Sequence, residues 1–193
     1  MRTAKLTRET KETQIFLELH LDGSGKYDIE LEVGFLKHML ELFSHHSQID
    51  LTLKAKGDTY IDYHHLVEDI GILLGKSFYQ ALGDKKGIKR YGHAVIPMDE
   101  ALIETAVDFS GRSYLVYNVD FFTEKIGNFH TELLEEFFQA FTQNAKVNLH
   151  IIKRYGKNSH HIAEGIFKSL AKSIKEAIKV EGDAISSTKG VLE

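Results

Sequence analysis

The sequence predicts an α+β fold made of two copies of one unit, each a hairpin, helix, strand and helix, with the helices layered on mixed β-sheets. Three observations predict it. The pattern H-H-x-x-E occurs twice, as HHLVE from His64 to Glu68 and as HHIAE from His160 to Glu164. A longer stretch repeats in register, FLKHMLELFSHHSQIDLTL mirroring LLEEFFQAFTQNAKVNLHI at an offset of 98 residues. Apolar residues follow period two in some segments and helical spacing in others.

The elements follow in chain order. Ile15, Leu17, Leu19 and Leu21 alternate as a half-buried strand does. LHLDGSGKYDIEL then reads as strand, Ser-Gly turn, strand. Phe35, Leu36, Met39, Leu40, Leu42 and Phe43 lie on one helical face, followed by a strand around Leu51. A helix begins at His64, and Gly83 lies where it should stop. The second half repeats this order. AVDFSGRSYLVYN matches the first Ser-Gly segment, Phe141 meets Phe43, Val147 meets Ile49 and Leu149 meets Leu51. Ile162, Ile166, Phe167, Leu170, Ile174 and Ile178 mark the last helix. The two H-H-x-x-E copies sit at offset 96, so one half carries two extra loop residues. The half-units are residues 1–86 and 87–193, meeting near Gly83–Lys89.

Composition narrows the chemistry. At 193 residues and 42% hydrophobic, the chain has enough apolar surface for a core. Net charge is −4 and the basic residues are dispersed, so a nucleic-acid partner is not expected. There is no cysteine, and any metal must take imidazole and carboxylate ligands. No stretch approaches the ~20 apolar residues of a membrane span. The first residues are polar, without the apolar core of a signal segment, and the expected compartment is the cytoplasm. Of 11 histidines, six form pairs at 45/46, 64/65 and 160/161.

The repeated motif predicts two metal ions. Residues four apart share a helix face, so His64 can grip an ion with Glu68, and His160 with Glu164. The second histidine of each pair is rotated by roughly 100° and reaches the other motif's ion instead. The offset of 98 pairs His38 with Glu136 and nominates each as a fourth ligand. One site is then His38, His65, His160 and Glu164, and the other His64, Glu68, Glu136 and His161. Blander readings stand beside these. A single H-H-x-x-E also reads as polar helix surface, and His38, among Phe35, Leu36 and Met39, as a partly buried histidine. Glu132, Glu135 and Glu136 also read as a solvated acidic face.

These residues resemble the imidazoleglycerol-phosphate dehydratase family, nearly end to end. The landmarks are GFLKHML from Gly34, DYHHLVEDIG from Asp62, PMDEAL from Pro97, DFSGRSYL from Asp108, NSHHIAEGIFK from Asn158 and STKGVL from Ser187. The resemblance implies dehydration of D-erythro-imidazole-glycerol phosphate to imidazole-acetol phosphate in histidine biosynthesis, with two Mn²⁺ per site and a metal-bound imidazolate. It also implies a homo-oligomeric 24-subunit shell with sites built between subunits. By family position, Arg90, Arg112, Lys168, Ser187 and Lys189 take the substrate phosphate. Glu12 is a substrate contact and the candidate for proton transfer, and His46 lies on the substrate side. Glu68 and Glu164 join Glu12 and His46 in the catalytic set.

Three positions depart from the family pattern. Glu136 stands where histidine is common, Tyr63 replaces an aspartate before the first His-His pair, and Ser186 replaces a proline. A non-catalytic metal-binding scaffold of the same fold is the alternative reading.

Overall fold

The computed structural model describes residues 2–192. The first half contributes β1 (Thr3–Glu9), β2 (Thr13–His20), β3 (Tyr27–Leu31), α1 (Gly34–Ser47), β4 (Asp50–Gly57) and α2 (His64–Leu82). The second contributes β5 (Tyr91–Met98), β6 (Ala101–Asp108), β7 (Tyr114–Asn118), a small β8–β9 arm (Lys125–Ile126, Phe129–His130), α3 (Glu132–Ala145), β10 (Asn148–Tyr155) and α4 (Ser159–Ala177). The duplication is visible element by element. α1 and α3 both have 14 residues, α2 and α4 both have 19, and β4 and β10 both have 8. Only residues 119–131, carrying β8 and β9, lack a counterpart, because residues 32–33 suffice between β3 and α1.

Each half forms a four-stranded mixed sheet, ordered β1-β2-β4-β3 and β5-β6-β10-β7. The Ser-Gly segments do form strand, turn and strand, but their strands do not pair with each other. β4 enters between β2 and β3, antiparallel to one and parallel to the other, and β10 does the same between β6 and β7. The paired hairpins are β1–β2 and β5–β6. β1 escapes a periodicity reading because Ala4 and Leu6 are its only apolar residues, as suits a polar edge strand.

The helices meet between the two sheets. α2 lies against β1 and β2, α4 against β5 and β6, and the halves join through α2 on α3 and α1 on α4. Alternate residues of β2 and β6 point into this layer and are buried. Phe43, Phe78, Phe141, Phe138 and Phe167 place a buried ring on every helix, with Phe78–Phe141 centroids 5.5 Å apart and Phe138–Phe167 5.2 Å apart. Such pairs add about 0.5–1.5 kcal/mol beyond their buried area. α2 approaches α3 closely because Gly71 and Gly75 face it. A Cβ there would stand 2.7 Å from the Phe137 carbonyl and 2.5 Å from that of Phe141. α2 ends at Leu82 with Gly83 at positive φ, as its sequence position requires. Among the described residues no helix is long and apolar enough to cross a membrane.

Candidate metal and substrate site

Both H-H-x-x-E motifs open a helix, and local capping fixes their direction. The Asn158 side chain accepts from the backbone N–H groups of His160 and His161, at 2.9 and 3.2 Å. Asp62 accepts from the His64 N–H at 2.8 Å. These bonds satisfy N–H groups that a helix start leaves open.

The packing of α1 on α4 brings three predicted ligands together. His38 Nε2 lies 3.2 Å from Glu164 Oε1, and His160 Nε2 lies 3.0 Å from the same oxygen. The three donor atoms are within 4.8 Å of one another. Glu164 is 11% exposed, and Lys168 donates to its other oxygen at 2.6 Å. Burial pushes the Glu164 carboxyl up, but Lys168, His38 and His160 outweigh it and hold the group at about 2. Two imidazole nitrogens and one charged oxygen converging on a point fit a divalent transition ion such as Mn²⁺, Fe²⁺, Co²⁺ or Zn²⁺.

The other expected ligands are arranged differently. His65 is turned away from this group within the chain. Its Nδ1 lies 2.9 Å from Asp58 Oδ2 and 3.8 Å from Glu12 Oε2, in a second convergent cluster. His161 Nδ1 lies 2.7 Å from Glu100 Oε2. His64, Glu68 and Glu136 do not converge as His38, His160 and Glu164 do among the described residues. In the latter group one carboxylate oxygen draws two imidazoles together through hydrogen bonds. His46 is half-buried on α1, two turns beyond His38, and burial together with Lys172 pushes its imidazole below the ordinary value.

The expected phosphate residues separate into two places. Arg90, Arg112, Ser187 and Lys189 line one open cleft of about 720 Å³. Arg90 donates to both oxygens of Asp108, at 2.6 and 3.1 Å, and reaches the Ser186 carbonyl at 2.8 Å. Arg112 is exposed and has no ion pair among the described residues. Lys168, midway along α4, instead sits with Glu164 one turn before it. The Arg90 backbone N–H bonds to Ala177 at the far end of that helix. With a rise of ~1.5 Å per residue, the His160 end and the Arg90 end of α4 are about 25 Å apart. The cleft and the histidine group of one chain thus lie toward opposite ends of α4.

Sequence reading gave no role to Asp58, Asp99 or Glu100, although Asp99 and Glu100 lie within PMDEAL. Isolated carboxylates in turns carry no periodicity, so only the fold reveals that they face His65 and His161.

The sequence profile described as "Imidazoleglycerol-phosphate dehydratase" matches residues 32–174. An imidazoleglycerol-phosphate dehydratase of Caldicellulosiruptor bescii is 52% identical over 191 residues, spanning 99% of this chain and 98% of the relative. The crystal structure of the imidazoleglycerol-phosphate dehydratase of Staphylococcus aureus superposes with a TM-score of 0.85 at 40% identity, covering 93% of this chain and 99% of that one. That of the Pyrococcus furiosus protein gives 0.85 at 36% identity, covering 97% and 100%. With its duplicated fold and its paired histidine motifs, the chain belongs to the imidazoleglycerol-phosphate dehydratase family.

Proposed function

We propose that this protein removes water from D-erythro-imidazole-glycerol phosphate, giving imidazole-acetol phosphate, at a site that holds two Mn²⁺ ions. Family membership makes it a dehydratase of histidine biosynthesis. The observation that carries the metal-dependent reading is the convergence of His38, His160 and Glu164 in a chain of this family. The proton to be removed sits on a carbon beside an imidazole, where it is not acidic. Two bound cations would supply Lewis acidity that stabilises negative charge developing on the substrate ring, and so would ease loss of that proton and of hydroxide.

The chain's own residues supply the rest. His38, His160 and Glu164 hold one ion, and His64, Glu68 and Glu136 hold the second on the duplicated face. His65 and His161 point away from their own chain's groups, which suits ligation of an ion in a neighbouring copy. Glu12 is exposed, and its carboxylate is close enough to the His65 ring to collect a proton from substrate held there. Burial and Lys172 push His46 below the ordinary imidazole value, which favours the neutral form that can accept a proton.

The separation of about 25 Å along α4 supports a site assembled from several chains. One copy's Arg90, Arg112, Ser187 and Lys189 then bind the phosphate while another copy's histidines face the ring, as a 24-subunit shell would arrange. Lys168 stays beside Glu164, where it holds that carboxylate charged and ready for an ion. The cytoplasm is the proposed compartment. Dialysis against a chelator followed by Mn²⁺ addition tests the reading. Turnover should vanish and return, and full turnover in metal-free protein rules it out.

A further inference from the structure

His65 and His161 are the second histidines of the two motifs, and both are held in the same way. In each case a carboxylate oxygen of the same chain lies on Nδ1, Asp58 Oδ2 at 2.9 Å and Glu100 Oε2 at 2.7 Å. The two carboxylates are not duplicates of each other. Asp58 follows β4, and at the offset of 98 its counterpart is Gly156, which has no side chain. Glu100 lies in the β5–β6 turn, and at the 88-residue offset of β2 and β6 its counterpart is Glu12. Duplication alone therefore does not account for one carboxylate at each Nδ1. Each half places its own from a different part of the fold.

Asp58 is costly to keep. Its side chain is only 10% exposed, and its Oδ1 is buried with no hydrogen-bond partner. Among the described residues the carboxylate makes one hydrogen bond, to His65. A buried charge serving only an imidazole adds little to packing and much to the orientation of that imidazole. Glu100 does more. Its Oε1 accepts the backbone N–H groups of Lys157 and Asn158, which locks the carboxylate to the start of α4 while Oε2 takes His161. Asp99 stands 3.6 Å from His161 Nε2, beyond hydrogen-bond distance, and is 72% exposed.

We infer that Asp58 and Glu100 are positioning residues that fix His65 and His161 as Nδ1–H tautomers, with the Nε2 lone pair directed outward as the donor to a metal ion. A carboxylate on Nδ1 accepts the ring N–H, so the neutral imidazole carries its lone pair on Nε2. The same contact sets the ring plane and raises donor strength at Nε2. In the first half, Asp58 also takes the place at Nδ1 that Glu100 takes in the second. Glu12, the counterpart of Glu100, is left 3.8 Å away and without that bond. This inference rests on the metal-dependent reading above.

Asp58→Asn and Glu100→Gln are the test, made in the full assembled protein. Each amide keeps shape and one acceptor oxygen, but its NH₂ can donate to Nδ1 and thereby favour the Nε2–H tautomer. Mn²⁺ titration followed by the electron paramagnetic resonance signal of free Mn²⁺ should show one class of ion bound about 10–100-fold more weakly in each variant, the other unchanged. ¹⁵N spectra of histidine-labelled, metal-free protein should report the change of tautomer, which a merely structural role leaves alone. Among the described residues the Asp58 carboxylate bonds only to His65, so Asp58→Asn carries the test even where Glu100→Gln loosens α4. Variants that bind both ions as tightly as wild type overturn the assignment while leaving the metal reading intact. Wild-type protein that takes up no Mn²⁺ overturns both.

Discussion

Lys168 Nζ donates to Glu164 Oε2 at 2.6 Å, one helical turn along α4, while His38 and His160 share the other oxygen of the same carboxylate. The only anion in that group is thus compensated on both sides, which keeps it charged despite burial. Its pKa of about 2 compares with 4.5 for a free glutamate. A depressed folded-state value stabilises the fold above the unfolded value and stops doing so as pH falls through the folded one. In metal-free protein Glu164 should therefore contribute up to about 3 kcal/mol above pH ~4.5, lost between ~4.5 and ~2. Urea unfolding of wild type and Glu164→Gln across that range checks this. Their difference should shrink as pH falls from ~4.5 toward ~2.

Metal uptake should fail at higher pH than ordinary histidines imply. The hydrogen bond to Asp58 raises His65 above 6.5, and that to Glu100 raises His161. Each must be deprotonated at Nε2 to ligate, so proton competition begins above ~6.5 as pH is lowered. Mn²⁺ uptake by apoprotein, followed from pH 8.5 to 5.5, should decline through that interval. A flat profile contradicts histidine-rich ligation.

Arg112 and Arg90 should behave differently although they line one cleft. Arg112 is exposed and free of ion pairs among the described residues, so Arg112→Ala should raise KM about 10–100-fold, the equivalent of one or two charge-assisted hydrogen bonds, with little loss of stability. Arg90→Ala should raise KM and also lower the melting temperature, because Asp108 loses both of its hydrogen bonds to the guanidinium. Unchanged KM in Arg112→Ala removes this arginine from phosphate binding, whereas wild-type protein that takes up Mn²⁺ but never turns substrate over favours the non-catalytic scaffold.

Lys85 links the first half to the C-terminal segment. It is buried just after α2, and its Nζ donates to the Leu192 carbonyl at 3.0 Å. Lys85→Met should free residues 186–192, raising KM for the phosphate substrate and quickening proteolysis there. Mn²⁺ affinity should stay the same, since His38, His160 and Glu164 lie toward the other end of α4.

Much of this was legible in the sequence because duplication writes itself twice. The offset of 98 carries the equal lengths of α1 and α3 and of β4 and β10, and it matches His38 to Glu136. Strand partnership was not legible. The alternation in β2 reports which face is buried, not that β4 separates it from β3. The packing of α1 on α4, which joins His38 to Glu164 across 126 residues, comes from helix faces that only tertiary structure matches. Asp58 and Glu100 were invisible for the same reason, since their meaning lies wholly in which histidine they face.

Diffraction at the manganese absorption edge from crystals grown with Mn²⁺ tests the central claim most directly. The anomalous map should show two strong peaks per site, one within ~2.3 Å of His38 Nε2, His160 Nε2 and a Glu164 oxygen, in the range of hard and borderline divalent ions. A map with no peak at His38, His160 and Glu164, from crystals whose protein is active, would contradict the account.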